Sequence, residues 1–398
     1  TVEVIQEGDQ VFCAVENGLF IFNKANKDIT RLSKLNGLSD VSVKAMAYAK
    51  ATGEIIIGYD NANIDIIRGE QIENVSDIRL SANFPGLKTA NHLFVQGKLV
   101  YISTDFGIVI MDLDDRIIKS TLIIGPFGTS IKVNQVVIDP IRDSIFAATE
   151  DGVYSASMQS PIQTFQSWTK DSRLSSEMKF ITYFKNTVFA TKLGDNNNDS
   201  IFYLEGNKWV FASQVPEAQY SYVTGSKGIL SVCNNFSARG FNANWENLYN
   251  INTSSAGDAN FSPKAAVVDD NPNSYWVGDG AKGLYLVFQK LFIQNYNPNS
   301  PISEKVYTMH SRGDRVYVAP GEIDGVWAPQ SNSGGFSRLD NFQWENFDNS
   351  RFNDYRDIVA ITTNPNRPNH YFMSAYGYGI VEMENDEFVR LINKDEVG

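Results

Sequence analysis

The sequence predicts an all-β protein of the β-propeller class, with about nine four-stranded blades. One unit reads DPIRDSIFAATEDGVYSASM from Asp139: a turn-prone segment, an apolar run, a polar pair with glycine and a second apolar run. This pattern is typical of a β-hairpin. The unit recurs along the whole chain, mostly with 41 to 47 residues between equivalent turns. A period in the forties with four β-runs per period is typical of propeller blades.

Seven copies of the unit are clear and two are weaker. The clear copies begin at Gly8, Gly53, Gly97, Asp139, Asn273, Asp314 and Asn369, and the weaker ones at Asn186 and Lys227. We place the turns at Gly18, Asn63, Gly107, Gly152, about Asp199, about Gly240, Gly283, Gly325 and Gly379, where the last interval is 54 residues. Nine hairpins of this kind account for the length of the chain without helices.

The first repeat illustrates how each blade is predicted. Four β-runs extend over 2–5, 11–15, 19–22 and 29–32, and the Asn17-Gly18 dipeptide between the second and third suits a tight hairpin because both residues tolerate positive φ. Repeats three and four, up to about Ser175, have the same regularity. The sixth repeat is less regular, and its Asn-, Ser- and Gly-rich stretch over 234–262 predicts a long outer loop.

The repeats divide at a segment rich in turn signals. FIQNYNPNSPISE ends the seventh repeat with Asn-Pro and Ser-Pro turns. We therefore predict a seven-bladed propeller over 1–303 and, over 304–398, two blades that open a second propeller. The alternative is one larger ring of eight or nine blades. A ring can close by pairing strands from its two ends, by side-chain packing or by exchange of termini between rings, and all three remain open at this stage.

Charge and composition exclude several classes of partner. The chain has 398 residues and a formal net charge of −12, and no run of Lys or Arg forms a basic stripe, which argues against nucleic acid. The sequence contains no run of about 18 apolar residues, so no membrane-spanning helix is predicted. Because the chain starts at Thr1 and a strand pattern begins at Val2, we expect a processed or trimmed N-terminus. Cys13 and Cys233 lie in apolar runs and are interpreted as buried thiols, with a disulfide as the alternative.

No catalytic, cofactor or metal site is predicted. The three histidines lie in different repeats and no metal-binding spacing is present. The acid pairs Asp114-Asp115 and Asp269-Asp270 lie in turns, where we expect them to face water. The D-x-N-x-D run that starts at Asp195 is interpreted as a hairpin tip, with calcium binding as the alternative, because the glycine and the glutamate of a calcium loop are missing.

Aromatic residues beside turns are the strongest candidates for a binding site. The chain contains 25 Phe, 18 Tyr and 6 Trp. Aromatic faces near polar turns suit stacking on sugar rings or contact with another protein, although most propeller aromatics pack between sheets. The predicted ligand-binding residues are Trp327, Tyr376, Tyr378 and Trp276.

Several phrases resemble the PorZ family of type IX secretion accessory proteins, which carry two-component regulator propeller repeats. They are SKLNGLSD from Ser33, GEIIIGYDNANIDII from Gly53, STDFGIVIMDL from Ser103 and DIVAITTNPNRPNHYFMSAYGYGIVEM from Asp357. The resemblance implies an exported, non-enzymatic scaffold of the periplasm or outer cell surface. It also implies contact with anionic lipopolysaccharide and with secretion-complex proteins during attachment of cargo. The resemblance implies two propellers and a C-terminal β-sandwich in family members, and we expect no sandwich within the 398 residues of this sequence.

The short G-L-S-D and G-L-Y elements are similar to those of histidine-kinase sensor propellers. The alternative function is therefore a periplasmic glycan-sensing region of a hybrid two-component histidine kinase. A third alternative is a propeller hydrolase or lyase that acts on polysaccharide.

Overall fold

The computed structural model describes residues 2–84, 86–257, 260–289 and 291–397, and it contains nine four-stranded antiparallel sheets. Each sheet uses four strands that are consecutive in the chain and pair in sequence order. The predicted all-β architecture with about nine four-stranded blades is therefore confirmed. The chain divides into two compact units between Pro298 and Asn299, whereas the sequence placed the boundary after Ser303.

The first unit contains seven sheets. Sheet 1 comprises β1 (Glu3–Glu7), β2 (Gln10–Val15), β3 (Gly18–Asn23) and β4 (Ile29–Ser33). Sheet 2 comprises β5 (Val43–Ala49), β6 (Glu54–Tyr59), β7 (Ile64–Arg68) and β8 (Gln71–Val75). Sheet 3 comprises β9 (Ala90–Gln96), β10 (Leu99–Thr104), β11 (Gly107–Asp112) and β12 (Ile117–Leu122). Sheet 4 comprises β13 (Val133–Asp139), β14 (Ser144–Thr149), β15 (Gly152–Ser157) and β16 (Thr169–Lys170).

The remaining sheets of this unit follow the same plan. Sheet 5 comprises β17 (Met178–Phe184), β18 (Thr187–Lys192), β19 (Ser200–Glu205) and β20 (Lys208–Phe211). Sheet 6 comprises β21 (Tyr220–Ser226), β22 (Ile229–Asn234), β23 (Ser237–Asn242) and β24 (Asn247–Asn252). Sheet 7 comprises β25 (Pro263–Val268), β26 (Ser274–Asp279), β27 (Leu284–Phe288) and β28 (Leu291–Tyr296). The predicted long loop over 234–262 is wrong, because β23 and β24 both lie within this stretch.

The second unit contains two sheets. Sheet 8 comprises β29 (Thr308–Arg312), β30 (Arg315–Ala319), β31 (Phe336–Asp340) and β32 (Gln343–Phe347). Sheet 9 comprises β33 (Ile358–Thr363), β34 (His370–Ala375), β35 (Gly379–Glu384) and β36 (Glu387–Ile392). Their facing surfaces bury Tyr317, Phe336 and Tyr371, and the buried Arg338 of sheet 8 pairs with Asp386 of sheet 9 at 2.7 Å.

Helical segments are short. They are α1 (Asp77–Leu80), α2 (Thr253–Ala256) and α3 (Lys394–Val397), and the 3₁₀ turns Lys34–Asn36, Pro126–Gly128, Phe165–Ser167, Asp195–Asn197 and Asn349–Phe352. In the part of the chain that the structure describes, no helix is long and apolar enough to cross a bilayer.

The seven sheets of the first unit form a closed ring. The first strands of neighbouring sheets contact one another in the cyclic order β1, β5, β9, β13, β17, β21, β25 and back to β1. Sheet 7 meets sheet 1 as a complete four-stranded sheet, so no strand is exchanged at the junction. Phe22 and Trp276 pack across this junction with ring centroids 5.5 Å apart. Side-chain packing is therefore the means of closure.

A bulge in the first strand of many sheets connects neighbouring sheets. One residue there is skipped in the pairing with the second strand, and its side chain bonds to a backbone carbonyl of the next sheet. The bonds are Asn91 Nδ2 to Val133 O (3.0 Å), Asn134 Nδ2 to Met178 O (2.8 Å), Lys179 Nζ to Tyr220 O (2.6 Å) and Ser221 Oγ to Pro263 O (3.3 Å). Polar residues at the bulge thus supply hydrogen bonds between sheets that share no strand pairing.

Steric crowding explains why the repeat has a glycine at its turn. Gly152 has φ +135°, and a Cβ there would lie 2.3 Å from the carbonyl oxygen of Leu174, at the outer edge of the same sheet. In sheet 8 the equivalent residue is Gly335, whose Cβ would lie 1.9 Å from Phe347 O. The predicted anchor Gly325 is wrong, since nothing crowds it. With Gly335 as the anchor, the interval to Gly379 is 44 residues, and the long interval, of 52 residues, lies between Gly283 and Gly335.

The first unit also tests the sequence-based predictions for the two cysteines and the two acid pairs. Cys13 and Cys233 are both buried thiols and are not joined by a disulfide. Asp114 and Asp115 are exposed, as expected for turn acids, but Asp269 is buried. Its carboxylate accepts hydrogen bonds from Lys24 across the ring junction, so the prediction that Asp269 faces water is wrong.

Candidate functional site

The candidate site lies in the two-sheet unit, where two turns of the same kind meet. Both connect the second strand of a sheet to the third: loop 320–335 joins β30 to β31, and turn 376–378 joins β34 to β35. Loop 320–335 is the longer of the two and contains Pro320, Gly321, Pro329 and Gly335, which favour an irregular backbone. Its length places side chains well outside the sheet.

An Asp-centred turn shapes the tip of loop 320–335. Asp324 Oδ1 accepts the backbone N–H groups of Val326 (2.9 Å) and Ala328 (2.8 Å). The N–H of Trp327 donates to the backbone oxygen of Asp324 at 3.1 Å, and Trp327 adopts φ +65°. The tip therefore presents Trp327 with 71% of its surface exposed, beside Val326, which is 81% exposed. A large exposed indole on an ordered turn is available for contact with a ligand.

Tyr376 connects the two turns. Its hydroxyl donates to the carbonyl oxygen of Trp327 at 2.8 Å, and its backbone N–H donates to the carbonyl of Asp357 at 3.0 Å. The structure therefore brings Trp327 and Tyr376 together, and this contact could not be predicted from the sequence.

A buried carboxylate anchors the base of the loop. Asp357, 1% exposed, accepts the N–H groups of Ser331 (2.9 Å) and Asn332 (2.7 Å), and its own N–H donates to Asn332 O at 2.9 Å. Backbone N–H groups that point at one carboxylate hold a loop more firmly than neutral contacts do. Asp357 is thus a positioning residue for Trp327, and sequence analysis missed it because an acid before a strand looks like an ordinary turn residue.

Tyr378 extends the same surface toward a second tyrosine. It is 45% exposed, and its ring centroid lies 5.3 Å from that of Tyr355. Tyr355 was not predicted, since no repeat pattern marks the segment before β33. We call Val326, Trp327, Tyr355, Tyr376 and Tyr378 the aromatic surface. It combines apolar ring faces with phenol hydroxyls, which is the chemistry that stacks on sugar rings or anchors a protein partner.

The fourth predicted residue, Trp276, lies in the core of the seven-sheet unit. It is 2% exposed, its indole N–H donates to Asp269 at 2.5 Å, and its ring packs on Phe22 and Tyr296. A buried indole cannot stack on a ligand, so Trp276 is a closure residue of the ring and is not part of the aromatic surface.

The structure does not support calcium binding by the run that starts at Asp195, because the carboxylate of Asp199 is engaged elsewhere. Asp199 is fully buried, and its carboxylate pairs with Lys179 at 2.7 Å and accepts the N–H of Tyr220 at 2.9 Å. Among the residues that the structure describes, no group of three or more His, Cys, Asp or Glu side chains is placed to hold a metal ion.

The seven-sheet unit has a separate cavity along its axis. The cavity has a volume of about 420 Å³ and is lined by the first strands of the sheets. Glu3, His92 and Tyr222 lie in its wall. Burial raises the pKa of the Glu3 carboxyl to about 7 and lowers the pKa of the His92 imidazole to about 4.

Nine four-stranded sheets, seven of them in a closed ring, define a β-propeller protein. Residues 11–169 match the family model described as "TSS9, PorZ, N-terminal beta-propeller domain", which confirms the predicted resemblance over this segment. Among curated proteins the sequence has no significant match.

Two solved structures share the fold. PorZ of Porphyromonas gingivalis, described as an essential bacterial surface component of the type IX secretion system, superposes with a TM-score of 0.73 at 17% identity, covering 100% of this chain and 52% of that one. The extracellular domain of a protein assigned to a hybrid two component system of B. thetaiotaomicron has a TM-score of 0.55 at 13% identity, covering 98% and 52%. The chain thus spans about half the length of each.

Proposed function

We propose that this chain is a non-enzymatic binding and scaffolding propeller of the bacterial envelope, and that its aromatic surface binds an envelope glycan such as anionic lipopolysaccharide. The observation that carries the proposal is the tethered loop 320–335, which holds Trp327 outward at the side of Tyr376. The match of residues 11–169 to the PorZ N-terminal propeller supports a role beside the type IX secretion machinery, with secretion-complex proteins as further partners.

Stacking, and not net charge, would supply the affinity. The chain has a formal net charge of −12, so an anionic polysaccharide gains nothing from the average surface. Aromatic rings instead pack on the C–H faces of sugar rings, and the phenol hydroxyls of Tyr376 and Tyr378 can bond to sugar hydroxyls. Because stacking and not charge supplies the affinity, we expect binding to depend only weakly on salt concentration.

The envelope location rests on the relatives. One solved relative is a bacterial surface component and the other is an extracellular domain. We propose that this chain is likewise exported, to the periplasm or the outer cell surface. We also propose that sheets 8 and 9 are the first blades of a second propeller, because the outward face of sheet 9 carries the exposed Ile380 where sheets in the ring bury both faces.

Calorimetric titration of the intact chain with anionic lipopolysaccharide tests the proposal. We expect Trp327→Ala to weaken binding about 10-fold, which corresponds to about 1.4 kcal/mol, a reasonable value for one stacked ring. Phe342→Ala is the matched control, because Phe342 is also exposed on the same unit but lies in the turn between β31 and β32. Absence of binding to every glycan tested, or equal loss in both variants, would leave protein scaffolding as the better interpretation.

A second candidate function is the glycan-sensing periplasmic region of a hybrid histidine kinase. The structural similarity to the extracellular domain of a hybrid two component system favours it. The encoding gene discriminates between the two functions: a downstream β-sandwich supports the secretion role, and a downstream transmembrane helix with a kinase domain supports the sensor.

A further inference from the structure

Four polar side chains share one level of the axial cavity in the seven-sheet unit. The first strand of each sheet pairs with the second strand across a hairpin turn. When the paired residues of the first strand are counted from that turn, each of the four side chains belongs to the fifth residue. All four line the cavity, and they are Glu3, His92, Gln135 and Tyr222. Because the first strands surround the axis, equal register places these residues in one layer. We call them the polar layer.

Apolar residues occupy the position that follows the bulge in the other three sheets, and none of them lines the cavity. Ala45 of sheet 2 lies opposite Gly58, Ala265 of sheet 7 lies opposite Gly278, and Phe180 of sheet 5 lies opposite Thr191. Two residues further along each first strand, the cavity is bordered by a mainly apolar layer formed by Ile5, Ala47, Phe94, Val137, Thr182, Thr224 and Val267. The cavity therefore has a polar level next to an apolar one.

Hydrogen bonding within the polar layer is incomplete. Tyr222 donates its hydroxyl to Glu3 Oε1 at 2.5 Å, and Gln135, which lines the cavity, accepts the N–H of Ile181 on Oε1 at 3.0 Å. His92 Nδ1 is buried and has no hydrogen-bond partner among the described residues. An unsatisfied buried polar atom is destabilising, so the imidazole of His92 gains from a rotation or a bound molecule that supplies a hydrogen-bond partner.

The cavity carries little net charge. The lowered pKa of His92 keeps its imidazole neutral at neutral pH, and Glu3 is the one acid of the layer. At the hairpin-turn end of the cavity the charges are paired, with Lys227 on Asp270 at 2.6 Å and Lys50 on Glu7 at 3.1 Å. Among these cavity residues, an anion finds no unpaired cationic side chain and a cation finds no unpaired, fully ionised carboxylate. An uncharged molecule with several hydroxyls instead finds hydrogen-bond donors and acceptors on opposite walls.

We propose that the polar layer of the axial cavity binds a neutral, hydroxyl-rich small molecule of the size of one sugar ring. A volume of about 420 Å³ suits such a ligand. The carboxyl of Glu3, the imidazole of His92 and the amide of Gln135 bond to its hydroxyls, and the apolar layer receives the C–H face of the ring. The site is separate from the aromatic surface and does not depend on the proposed function of that surface.

Histidine NMR of the intact chain provides the test. The chain labelled with ¹⁵N-histidine is titrated with D-glucose, D-galactose, D-mannose or N-acetyl-D-glucosamine, and His92 is assigned with the variant His92→Gln. We expect at least one of these sugars to shift the His92 resonances in a saturable manner, while His310 and His370, which lie in the two-sheet unit, stay unchanged. Unchanged His92 signals with all four sugars would overturn the proposal, and so would equal saturable shifts with D-glucuronate or D-glucosamine.

A variant then assigns the contact. Gln135→Leu removes the amide but keeps the approximate volume, and we expect about 10-fold weaker sugar binding, since a site that loses one hydrogen bond to a ligand hydroxyl discriminates strongly. Trp327→Ala is the control and should leave the His92 shifts intact. If Gln135→Leu folds and binds the sugar as tightly as the original chain, the assignment is wrong. If it does not fold, the titration of the unaltered chain still decides.

Discussion

Lys24 and Asp269 form an ion pair at 3.0 Å that joins sheet 1 to sheet 7, although 245 residues separate them in the chain. The indole N–H of Trp276 donates to the same carboxylate at 2.5 Å. At this junction two complete sheets pack side by side, and no strand crosses from one to the other. The buried carboxylate of Asp269 therefore organises the closure of the ring that strand exchange would otherwise provide.

Removal of the Asp269 carboxylate should loosen the ring at its junction. Asp269→Ala leaves the Lys24 ammonium and the Trp276 N–H without their acceptor, and we expect the free energy of unfolding to fall by about 2–4 kcal/mol. Urea unfolding followed by tryptophan fluorescence measures the loss. The control is Lys98→Ala, which breaks an exposed pair with Asp114 whose partners are 55% and 53% open to solvent; it should change stability by no more than about 0.5 kcal/mol. Equal effects would contradict the closure role.

The turn glycines should differ in cost according to what surrounds them. Gly152→Ala would place a methyl group 2.3 Å from Leu174 O at φ +135°, and we expect a loss of about 3 kcal/mol or more, because the backbone must move. Gly206→Ala keeps a positive φ of +56° with no atom within 4 Å, and the left-handed conformation alone costs about 1–2 kcal/mol. Thermal unfolding of both variants measures the difference. A Gly152→Ala variant as stable as Gly206→Ala would show that the turn adapts without cost.

Glu3 should make the seven-sheet unit less stable as pH rises. Burial raises the pKa of its carboxyl from 4.5 to about 7 in the folded chain, so between these values the folded state binds more protons than the unfolded state. The free energy of unfolding then falls through this window and stays low above it, by about 1–3 kcal/mol in total. Glu3→Gln cannot ionise but still accepts the Tyr222 hydroxyl.

Chemical denaturation at pH 5 and pH 8 measures this effect. We expect the stability of Glu3→Gln relative to the original chain to rise between the two pH values. Glu70→Gln, at an exposed turn, should show no such change. A pH-independent difference for Glu3→Gln would mean that the carboxyl titrates at its ordinary value.

Asp357 should control the order of loop 320–335 without touching a ligand. Asp357→Asn replaces an acceptor of three backbone N–H groups, the closest being those of Ser331 and Asn332, by a weaker, neutral one. We expect hydrogen exchange at Ser331 and Asn332 to accelerate about 10-fold or more, equivalent to about 1.4 kcal/mol. Asp348→Asn is the control, because the Asp348 carboxylate also accepts a backbone N–H in this unit, but from Ser350, which lies outside the loop. Unchanged exchange in Asp357→Asn would remove its positioning role.

Much of the fold could be predicted from local patterns. Hairpin chemistry is local: Gly152 follows an apolar run, requires a positive φ and recurs with the period of the blades, so nine sheets could be counted. The anchor in sheet 8 was misplaced because Gly325 and Gly335 look alike in sequence. In the structure Gly335 has φ +69° and meets the outer strand of the sheet at Phe347, whereas Gly325 has neither feature, and the approach of that strand is a tertiary contact.

The site was predictable only in part. Trp327 and Trp276 both stand near turn glycines in the sequence, yet one is 71% exposed and the other 2%. Asp357 and Asp269 both look like turn acids, and both are buried acceptors. The sequence by itself determined which segments become strands and turns, because those choices depend on neighbouring residues. Only the tertiary structure decided which side chains face solvent, because burial depends on the sheet that packs against each turn and that sheet can be hundreds of residues away.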